Sequence, residues 1–496
     1  MDNIIVITQN VKLESLHYLR SFIEAGSKSI VFSTQLIFDN EAELISDQLD
    51  SECTFMNFSN IMSDADFEEC DVKAYSNSQT GVIQYYKTIK RLKNLKAVQI
   101  LSQTYPCDNR FIVCDDLGID AEVWLENGYK KIVCDYYYSE KEVPEIVLSK
   151  GRFQSLFNLC KRYLNADISV STFNGTRLLF FGSLNRIGYR MDIVFKPANK
   201  FENVKYLLGH FYMRLFHCFP KNNTIRLSTL HESTQNPLPE HKNANVKILQ
   251  DGYLPPNYSS KYLLFHDSSV EFYTWDVEGM RTFNYHHLKS RVMPFRKKLY
   301  MPKPFFPSRI KKVLCVASGA GDWTALKNRS DEDSMLVAFG KVAALFPDIE
   351  FVYRCHPVWV HPQHQGVNSI NRATDYILWM NLPNLRLSSN IPNAEEDGKF
   401  RLSYKRSSFE EDLKDVDIVF GEHSISMIDA AFKQILFGSV NVTGRRDFFC
   451  GISAMGFPHC ESVEEIVDLL NTVTTDSFRF NYLKAIDNYN TMTDKE

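Results

Sequence analysis

The stretch between Phe351 and Phe432 constrains the fold of this chain more than any other part of the sequence. It opens with the run Phe351–Pro357 and closes with the run Asp417–Phe432. Each run begins with apolar residues typical of a short buried strand and then turns polar, and the second run continues into a helical pattern. Two such units, 60 residues apart, indicate an α/β domain whose strand ends carry polar side chains.

The polar residues at these two strand ends predict an anion site. They comprise His356 after the first strand, and Ser424 and Ser426 at the start of the helix. Either serine suits the N-cap position, and Ser426 with Asp429 fits a capping box. Backbone N–H groups and the helix dipole would favour a phosphate there. In a simpler interpretation, His356-Pro357 is a turn and the serines only cap the helix, which either run alone would favour. Together the two runs favour a nucleotide-phosphate site.

Length and composition limit the class of protein. A chain of 496 residues is too long for one ordinary core and predicts two or more domains. The net charge of -4 implies no general attraction to nucleic acid. Eleven cysteines without C-x-x-C spacing indicate free, mostly buried thiols in a reducing compartment. The N-terminus reads as a strand rather than a signal peptide, and no apolar run reaches the ~18–20 residues of a membrane-spanning helix. We therefore expect a cytoplasmic protein.

Residues 1 to about 150 alternate short apolar runs with helical patterns. This alternation predicts a mainly parallel sheet covered on both faces. No G-x-G-x-x-G follows the first strand, so the dinucleotide fingerprint is absent. The predicted strands are Ile4–Ile7, Ser29–Phe32, Leu95–Leu101 and Lys131–Cys134, and the predicted helices lie around Leu13–Ala25 and Asp120–Asn127.

Residues 150 to about 290 are richer in strand signals. The run from Val246 to Leu249 leads straight into Gln250-Asp251-Gly252. An Asp at the carboxyl end of a parallel strand lies where α/β sheets bind ligands. An ordinary Asp-Gly turn is the alternative. Further strands are predicted at Leu178–Phe181, Met191–Phe195, Thr224–Leu227 and Tyr262–Phe265.

The segment Arg291–Lys312 is the clearest linker. Four prolines in it interrupt any helix or central strand. Its basic and aromatic residues would suit anionic lipid headgroups or an anionic substrate. A solvated hinge between domains is the favoured interpretation.

A new α/β unit begins after this linker. The strand Val313–Ala317 ends in Ser318-Gly319, where glycine would let the backbone approach a ligand. We expect a helix at 331–346, an irregular polar segment at 363–399, a strand at Phe437–Val442 and a helix at Val463–Leu470.

Two α/β halves joined by a hinge resemble a GT-B glycosyltransferase. More narrowly, three motifs are similar to those of bacterial CMP-sugar transferases, and closest to the retaining β-Kdo transferases of capsule and O-antigen assembly. They are Gln250-Asp-Gly-Tyr253, Arg354-Cys-His-Pro357 and Glu422-His-Ser-Ile-Ser426. The resemblance covers roughly Val246 to Leu470, and Gln250 departs from the acidic residue common before Asp-Gly in these families.

The resemblance implies a fold and a division of the chain. The fold class would be α/β, with two Rossmann-like domains in a GT-B arrangement and the active site in the cleft between them. Residues 1–300 would form an acceptor-side domain that carries the Asp-Gly loop. Residues 301–480 would bind the nucleotide sugar, and 481–496 would be a C-terminal tail.

The resemblance also implies roles for single residues near the donor. His356, Ser424 and Ser426 would hold the CMP phosphate and stabilise it as it leaves. Arg354 would help, or would equally be a surface ion-pair partner. Glu422 would accept hydrogen bonds from cytidine or ribose hydroxyls, or simply cap the strand end. Ser318 and Gly319 would line the same site. No metal or other cofactor is expected, because His, Ser and helix N–H groups take the phosphate charge in the related families.

Asp251 is the residue expected to make the new bond. In a retaining enzyme its carboxylate would attack the anomeric carbon and form a glycosyl-enzyme ester. In an inverting CMP-sialic acid transferase it would instead be the general base that deprotonates the acceptor. The sequence leaves both roles open, and a non-catalytic GT-B module that binds glycan is a third alternative.

The expected partners follow from this assignment. CMP-Kdo would be the donor and an oligosaccharide or lipid-linked glycan the acceptor, with no nucleic acid. The location would be cytoplasmic, with peripheral contact to the inner membrane or to a polysaccharide-synthesis complex as a further expectation.

Overall fold

A computed structural model describes eighteen segments of the chain. They are 2–8, 11, 13–34, 36–77, 82–114, 121–134, 167–172, 191–195, 224–229, 245–249, 270–274, 290–292, 306–317, 329–356, 366–389, 405–422, 425–443 and 455–494. The chain divides into two compact units. The first unit contains Met1–Asn77, Tyr86–Pro144 and Lys297–Glu496, and the second contains Ser78–Tyr85 and Glu145–Arg296.

The first unit begins with a five-stranded sheet in the order β3-β2-β1-β4-β5, with every pair parallel. Its strands are β1 (Asn3–Ile7), β2 (Lys28–Ser33), β3 (Glu52–Met56), β4 (Asn109–Cys114) and β5 (Lys130–Val133). The connecting helices are a 3-10 helix (Leu13–Ser21), α1 (Asp39–Leu49), α2 (Phe58–Ile61), α3 (Asp64–Asn77), α4 (Val82–Thr104) and α5 (Glu122–Glu126). All five residues of β1 are buried, as expected for a central strand covered on both faces.

A seven-stranded parallel sheet follows in the same unit, in the order β15-β14-β13-β12-β16-β17-β18. Its strands are β12 (Lys312–Val316), β13 (Glu350–Arg354), β14 (Leu385–Ser389), β15 (Lys405–Arg406), β16 (Ile418–Gly421), β17 (Leu436–Val440) and β18 (His459–Cys460). Its helices are α6 (Arg329–Leu345), α7 (Gly366–Met380), α8 (Phe409–Asp412), α9 (Ile425–Phe432), α10 (Val463–Thr472) and α11 (Asp476–Asp494). The buried face of α6 includes Leu336, Phe339 and Val342, and Phe339 lies against Phe420 of β16 with ring centres 5.6 Å apart.

The second unit contains a six-stranded parallel sheet in the order β11-β10-β9-β8-β6-β7. Its strands are β6 (Asp167–Thr172), β7 (Met191–Phe195), β8 (Thr224–Thr229), β9 (Asn245–Leu249), β10 (Val270–Thr274) and β11 (Ser290–Val292). The predicted fold class, α/β with Rossmann-like parallel sheets, is confirmed.

Along the chain, the five-stranded sheet is the first, the six-stranded sheet the second and the seven-stranded sheet the third. A buried ion cluster joins the first and third sheets inside the first unit. Arg372 of α7 donates from Nε to Glu41 Oε1 at 2.5 Å and from Nη1 to Asp333 Oδ2 at 3.2 Å. Its guanidinium also covers the ring of Phe38, 4.8 Å from the ring centre, and Phe38 stacks on Tyr376. Burial disfavours the charged guanidinium, but the facing carboxylates outweigh this and raise the pKa of Arg372 above its usual value. Phe38 and Glu41 therefore share one interface with Asp333, Arg372 and Tyr376.

Most predicted elements are confirmed, with shifted ends. Two predictions are wrong. Leu95–Leu101 is not a strand but lies inside helix α4, whose buried positions recur every three or four residues. The segment 363–399 is not irregular throughout, because it contains α7 and β14. The predicted strands at Leu178–Phe181 and Tyr262–Phe265 lie outside the described residues.

The boundary between the two units, at Arg296 and Lys297, falls inside the predicted linker. The predicted domain 1–300 spans strands of two separate sheets. From 481 to 494 the predicted tail belongs to helix α11, where Tyr482, Ala485 and Tyr489 are buried. The division at residues 300 and 480 stays a prediction.

Two further features concern the described parts of the chain alone. Within them, no helix is both long and apolar enough to span a membrane. The cysteines described there are free, and six of them are buried: Cys70, Cys114, Cys134, Cys315, Cys355 and Cys460.

Candidate functional site

A row of residues in register marks the carboxyl edge of the third sheet. Each member pairs with its neighbour on the adjacent strand, and adjacent strands lie roughly 4.8 Å apart. From β15 to β18 the row reads Lys405, Ser388, Arg354, Val316, Gly421, Ser439 and His459. The predicted site motifs follow directly after three members of this row, so the topology brings them to one edge of one sheet.

The strand order reverses direction between β12 and β16. From β12 the chain adds β13, β14 and β15 on one side, and then returns to add β16, β17 and β18 on the other. In open α/β sheets, ligands bind outside the carboxyl ends of the strands at such a reversal. Ser318-Gly319 follows β12 and Glu422 follows β16 in sequence. Ser318 and Gly319 themselves lie outside the described residues, as does Ser424.

Glu422 lies beside this reversal of strand order, because it directly follows the last residue of β16. Its side chain is buried, and the residue is 2% exposed. A carboxylate buried at the end of a central strand is costly unless it is hydrogen-bonded or paired. Both predicted roles of Glu422, nucleoside contact and strand-end cap, stay predictions.

Gly421 allows β12 and β16 to approach closely at this point. A Cβ atom at Gly421 would lie 2.9 Å from Val316 Cγ2 and 3.4 Å from the Val316 carbonyl oxygen. The 2.9 Å contact would require the Val316 side chain to shift, and such overpacking is destabilising. The glycine before Glu422 is therefore set by strand packing, a reason that the sequence motif alone did not show.

Helix α9 starts at Ile425. Ser426 is thus the second helical residue and half-buried, and Asp429 is exposed. The predicted capping box of Ser426 and Asp429 is wrong, because an N-cap residue must precede the first helical residue. Met427, Ala430 and Ala431 form the buried face of the helix. The predicted contact of Ser426 with a phosphate stays a prediction.

His356 lies two residues beyond the end of β13 and is half-buried. The backbone before it is tied on both sides. The amide of Ala317 donates to the carbonyl of Arg354 at 3.0 Å, and the amide of Cys355 donates to the carbonyl of Ser388 at 2.9 Å. The path of the chain into His356-Pro357 is therefore fixed by both neighbouring strands.

The side chain of Arg354 belongs to a buried polar cluster. Its Nη1 donates to Asp412 Oδ2 at 2.5 Å, to the Ser407 carbonyl at 3.1 Å and to Ser388 Oγ at 3.3 Å. Asp412 is 1% exposed and also accepts from Ser407 Oγ at 2.7 Å and from Ser388 Oγ. The structure places Arg354 in an ion pair, but a buried one rather than the predicted surface pair, and its predicted help at the phosphate stays a prediction.

Sequence reasoning missed three members of this cluster, Asp412, Ser388 and Ser407. One local signal was available, because Ser408 and Glu411 fit a capping box. That capping box predicts the start of the short helix α8, whose last residue is Asp412. Nothing in the sequence linked Asp412 to an arginine 58 residues earlier.

A second histidine on the same edge was not assigned a role. His459 Nδ1 lies 2.7 Å from Ser439 Oγ, and its Nε2 lies 3.6 Å from Glu461 Oε1. This set resembles a Ser-His-Glu triad, but Ser439 is 0% exposed and closed to substrate. Burial also raises the pKa of the neighbouring Cys460 thiol to about 12. We interpret these residues as part of the packing of β17 and β18.

Asp251 lies outside the described residues. It follows the last residue of β9 by two positions, in the second unit. Asp276 follows the last residue of the adjacent strand β10 by the same interval. The carboxyl ends of β9 and β10 meet at one edge of the second sheet, since the two strands are parallel. The predicted role of Asp251 stays a prediction.

Among the residues that the structure describes, no group of three or more His, Cys, Asp and Glu side chains is arranged to hold a metal ion. The expectation that His, Ser and helix N–H groups balance the phosphate charge without a metal ion stays a prediction.

Comparison with known proteins gives a limited result. No protein-family model matches the chain, and no curated protein does. Among solved structures, TarM is 13% identical with a TM-score of 0.35, over 55% of this chain and 54% of its own length. The glycosyltransferase of kitacinnamycin is 10% identical with a TM-score of 0.27, over 99% and 95% of the two chains. An O-GlcNAc transferase mutant from Thermobaculum terrenum is 8% identical with a TM-score of 0.28, over 91% and 82%.

Two of the solved structures that are similar to this chain are named as glycosyltransferases. The chain spans about half the length of TarM, at 54%. All three TM-scores quoted above are below 0.5, so the likenesses carry no argument for an activity.

Proposed function

We propose that this chain is a GT-B glycosyltransferase that moves Kdo from CMP-Kdo to a saccharide acceptor in bacterial surface polysaccharide synthesis. One observation carries the proposal. Two of the three motifs resembling those of CMP-sugar transferases, Arg354–Pro357 and Glu422–Ser426, lie at the carboxyl ends of β13 and β16, which flank β12 in one Rossmann-like sheet, and Ser318-Gly319 follows β12 in sequence. The reversal of strand order between β12 and β16 is the place where such sheets bind nucleotides.

In this proposal the third sheet binds the CMP moiety. His356 and Ser426, with Ser424, donate hydrogen bonds to the phosphate as negative charge develops on it. The N-terminus of helix α9 adds backbone N–H groups and a favourable dipole. Ser318 and Gly319 line the pyrimidine side, and Glu422 accepts from the ribose or cytidine hydroxyls. CMP then leaves with its charge already compensated.

Asp251 is proposed as the nucleophile. One carboxylate oxygen attacks the anomeric carbon while the bond from that carbon to the CMP phosphate oxygen breaks, which gives a Kdo ester of Asp251 and free CMP. The acceptor hydroxyl then attacks the same carbon, loses its proton and releases Asp251 as a carboxylate. Two displacements retain the configuration of the sugar.

A donor panel tests this proposal on the full chain. CMP-Kdo, CMP-sialic acid, UDP-sugars and GDP-sugars are incubated with mixed oligosaccharide and lipid-linked glycan acceptors, and nucleotide release is measured. CMP release from CMP-Kdo alone is the expected result. Release from CMP-sialic acid would instead indicate the sialyltransferase alternative. CMP binding without turnover of any donor would indicate a non-catalytic module.

Mass spectrometry without an acceptor tests the role of Asp251. A protein heavier by one Kdo residue is expected, with the added mass on the peptide that contains Asp251. Asp251→Asn removes the adduct, whereas Asp276→Asn, at the equivalent place after β10, keeps it. An inverted product without an adduct would assign Asp251 as a general base, and an adduct on Asp276 would move the nucleophile to the neighbouring strand.

A further inference from the structure

The Arg354–Asp412 cluster, defined as Arg354, Ser388, Ser407 and Asp412, lies between three strands of the carboxyl edge. Arg354 ends β13, Ser388 belongs to β14 and Ser407 follows β15. Asp412 lies at the centre, with one carboxylate oxygen facing Arg354 and Ser388 and the other facing Ser407. The two serine hydroxyls also lie 2.7 Å from each other. The cluster therefore joins β13, β14 and the β15–α8 segment by side chains.

The direction of Arg354 follows from these contacts. Its Nη1 is engaged by three oxygens within the cluster. The guanidinium carbon also lies 5.8 Å from the ring centre of Phe409. The guanidinium therefore points along the sheet edge toward β14 and α8, on the side of β13 away from the strand reversal at β12 and β16.

We propose that Asp412 is a positioning residue of the donor site, which holds Arg354 so that the His356 turn has one conformation. The inference rests on the proposed function, in which His356 contacts the phosphate. Arg354 then acts through the backbone of residues 354–356, and its charge is balanced by Asp412 rather than by the donor phosphate. Without Arg354, the buried carboxylate of Asp412 would keep only the longer 3.9 Å pair with Arg386, and the segment that precedes His356 would lose its side-chain tie to Asp412 and loosen.

Arg386 provides a matched control. It lies on β14, and its Nη1 is 3.9 Å from Asp412 Oδ1, but its Nε pairs with Glu350 at 3.0 Å. Its side chain is 30% exposed, and its pair with Glu350 lies at the start of β13, at the opposite end of that strand from Arg354. Arg386→Gln therefore removes a positive charge near Asp412 without releasing the His356 turn.

Steady-state kinetics of the full chain separate positioning from phosphate contact. Asp412→Asn and Arg354→Gln should each lower kcat by roughly 10- to 100-fold, the scale on which misplacing a catalytic group by about 1 Å acts. KM for the CMP-sugar should change less than about threefold. The kcat of the double variant should be no lower than the kcat of the less active single variant, because the effects of substitutions at contacting residues are not additive. Arg386→Gln should keep wild-type kinetics. A large rise in donor KM for Arg354→Gln alone would overturn the proposal, since it would mean that Arg354 binds the phosphate.

An NMR measurement without any donor tests the same inference independently of the transfer reaction. In histidine-labelled protein, the His356 imidazole signal is assigned by its loss in His356→Gln. Asp412→Asn should shift or broaden that signal, while Arg386→Gln should leave it unchanged. An identical His356 signal in Asp412→Asn and wild type would overturn the proposal even if the chain transfers Kdo. A changed signal in a chain that transfers no sugar would instead keep the positioning role and reject the proposed function.

Ser407→Ala covers the case in which Asp412→Asn fails to fold. This variant removes the 2.7 Å hydroxyl contact to Asp412 Oδ1 but keeps the carbonyl that accepts from Arg354. A smaller shift of the His356 signal in the same direction is expected. No shift in Ser407→Ala, together with normal kcat, would contradict the proposal.

Discussion

Replacing His356 by alanine tests the proposed phosphate contact at the scale of one residue. Loss of one well-placed donor to a developing charge costs roughly 10²–10³-fold in kcat, and we expect a loss of that size in sugar transfer. The measurement is kcat with CMP-Kdo, together with a melting curve that shows the variant is folded. His17→Ala is the control, because His17 is exposed and bonds only locally, at 2.8 Å from the Glu14 carbonyl. Near-normal turnover in folded His356→Ala would reduce His356-Pro357 to a structural turn.

The buried thiol of Cys70 makes the free energy of unfolding depend on pH in the alkaline range. Burial, with a smaller effect from Glu69, raises the pKa of this thiol from 9.0 to about 11. Because the unfolded chain loses the proton at lower pH than the folded chain, the contribution of Cys70 to stability is complete below about pH 9 and is lost as the pH rises toward 11. Urea midpoints measured from pH 8 to 10.5 should therefore fall more steeply for wild type than for Cys70→Ala. The half-buried Cys107 is the control, and an equal flattening in Cys107→Ala would contradict the assignment.

The partner of the Arg354 side chain could not be predicted from the residues next to it in sequence. The sequence supported phosphate contact and ion pairing equally, because both need only a charged side chain near a strand end. The choice depends on Asp412, which reaches Arg354 only after β14, β15 and α8 are in place. No local pattern encodes that pairing.

At the scale of elements, Gly421→Ala should disturb the junction of β12 and β16. The new methyl group would lie 2.9 Å from Val316 Cγ2, and overpacking of this kind costs typically 1–3 kcal/mol. We expect a lower free energy of unfolding, and weaker CMP binding because the strand reversal lies at that junction. Urea unfolding and CMP-induced thermal shifts measure the two effects.

Gly340→Ala is the comparison for that variant. A Cβ at Gly340 would lie 2.5 Å from the sulfur of Met380, a flexible side chain that can move aside. This substitution lies on helix α6 and should leave the CMP-induced thermal shift unchanged. If both alanine variants weakened CMP binding equally, the effect would not come from the strand junction.

Buried strands were the most predictable elements. Apolar runs such as Ile4–Ile7 and Val313–Ala317 have short lengths and polar ends that only a strand in a parallel sheet satisfies. Leu95–Leu101 is also mostly apolar but contains Lys96 and Gln99, and it continues a helical spacing that starts at Tyr85 and Ile89. Reading the longer window would have identified α4. Helix α7 was hidden because polar residues interrupt its first turns, and because its buried Arg372 and Tyr376 contact Glu41 and Phe38, which are distant in sequence.

At the scale of the molecule, the described residues form three parallel sheets, of which the first and third belong to one compact unit. The sequence predicted two halves because the clearest linker lies near residue 300. The partnership of the first sheet with the third depends on Arg372 and Glu41, which are 331 residues apart. Pairings at that separation leave no periodic signal in the sequence. The third sheet, which is proposed to bind the donor, is therefore fixed to the first Rossmann-like sheet within the same unit.

Arg372→Met should weaken that interface. The substitution leaves the carboxylates of Glu41 and Asp333, both buried, without the guanidinium between them, and breaking a buried pair typically costs about 3–5 kcal/mol. Amide hydrogen exchange should accelerate in the peptides that cover α1 and α7, and the urea midpoint should fall. Arg309→Met is the control, since its pair with Asp348 is 67% and 81% exposed and such pairs contribute less than about 1 kcal/mol. Adding Glu41→Gln to Arg372→Met should recover part of the loss, because one of the two uncompensated charges is then removed. Unchanged exchange in α1 and α7 of folded Arg372→Met would show that the two sheets are held together by apolar packing around Phe38 and Tyr376 alone.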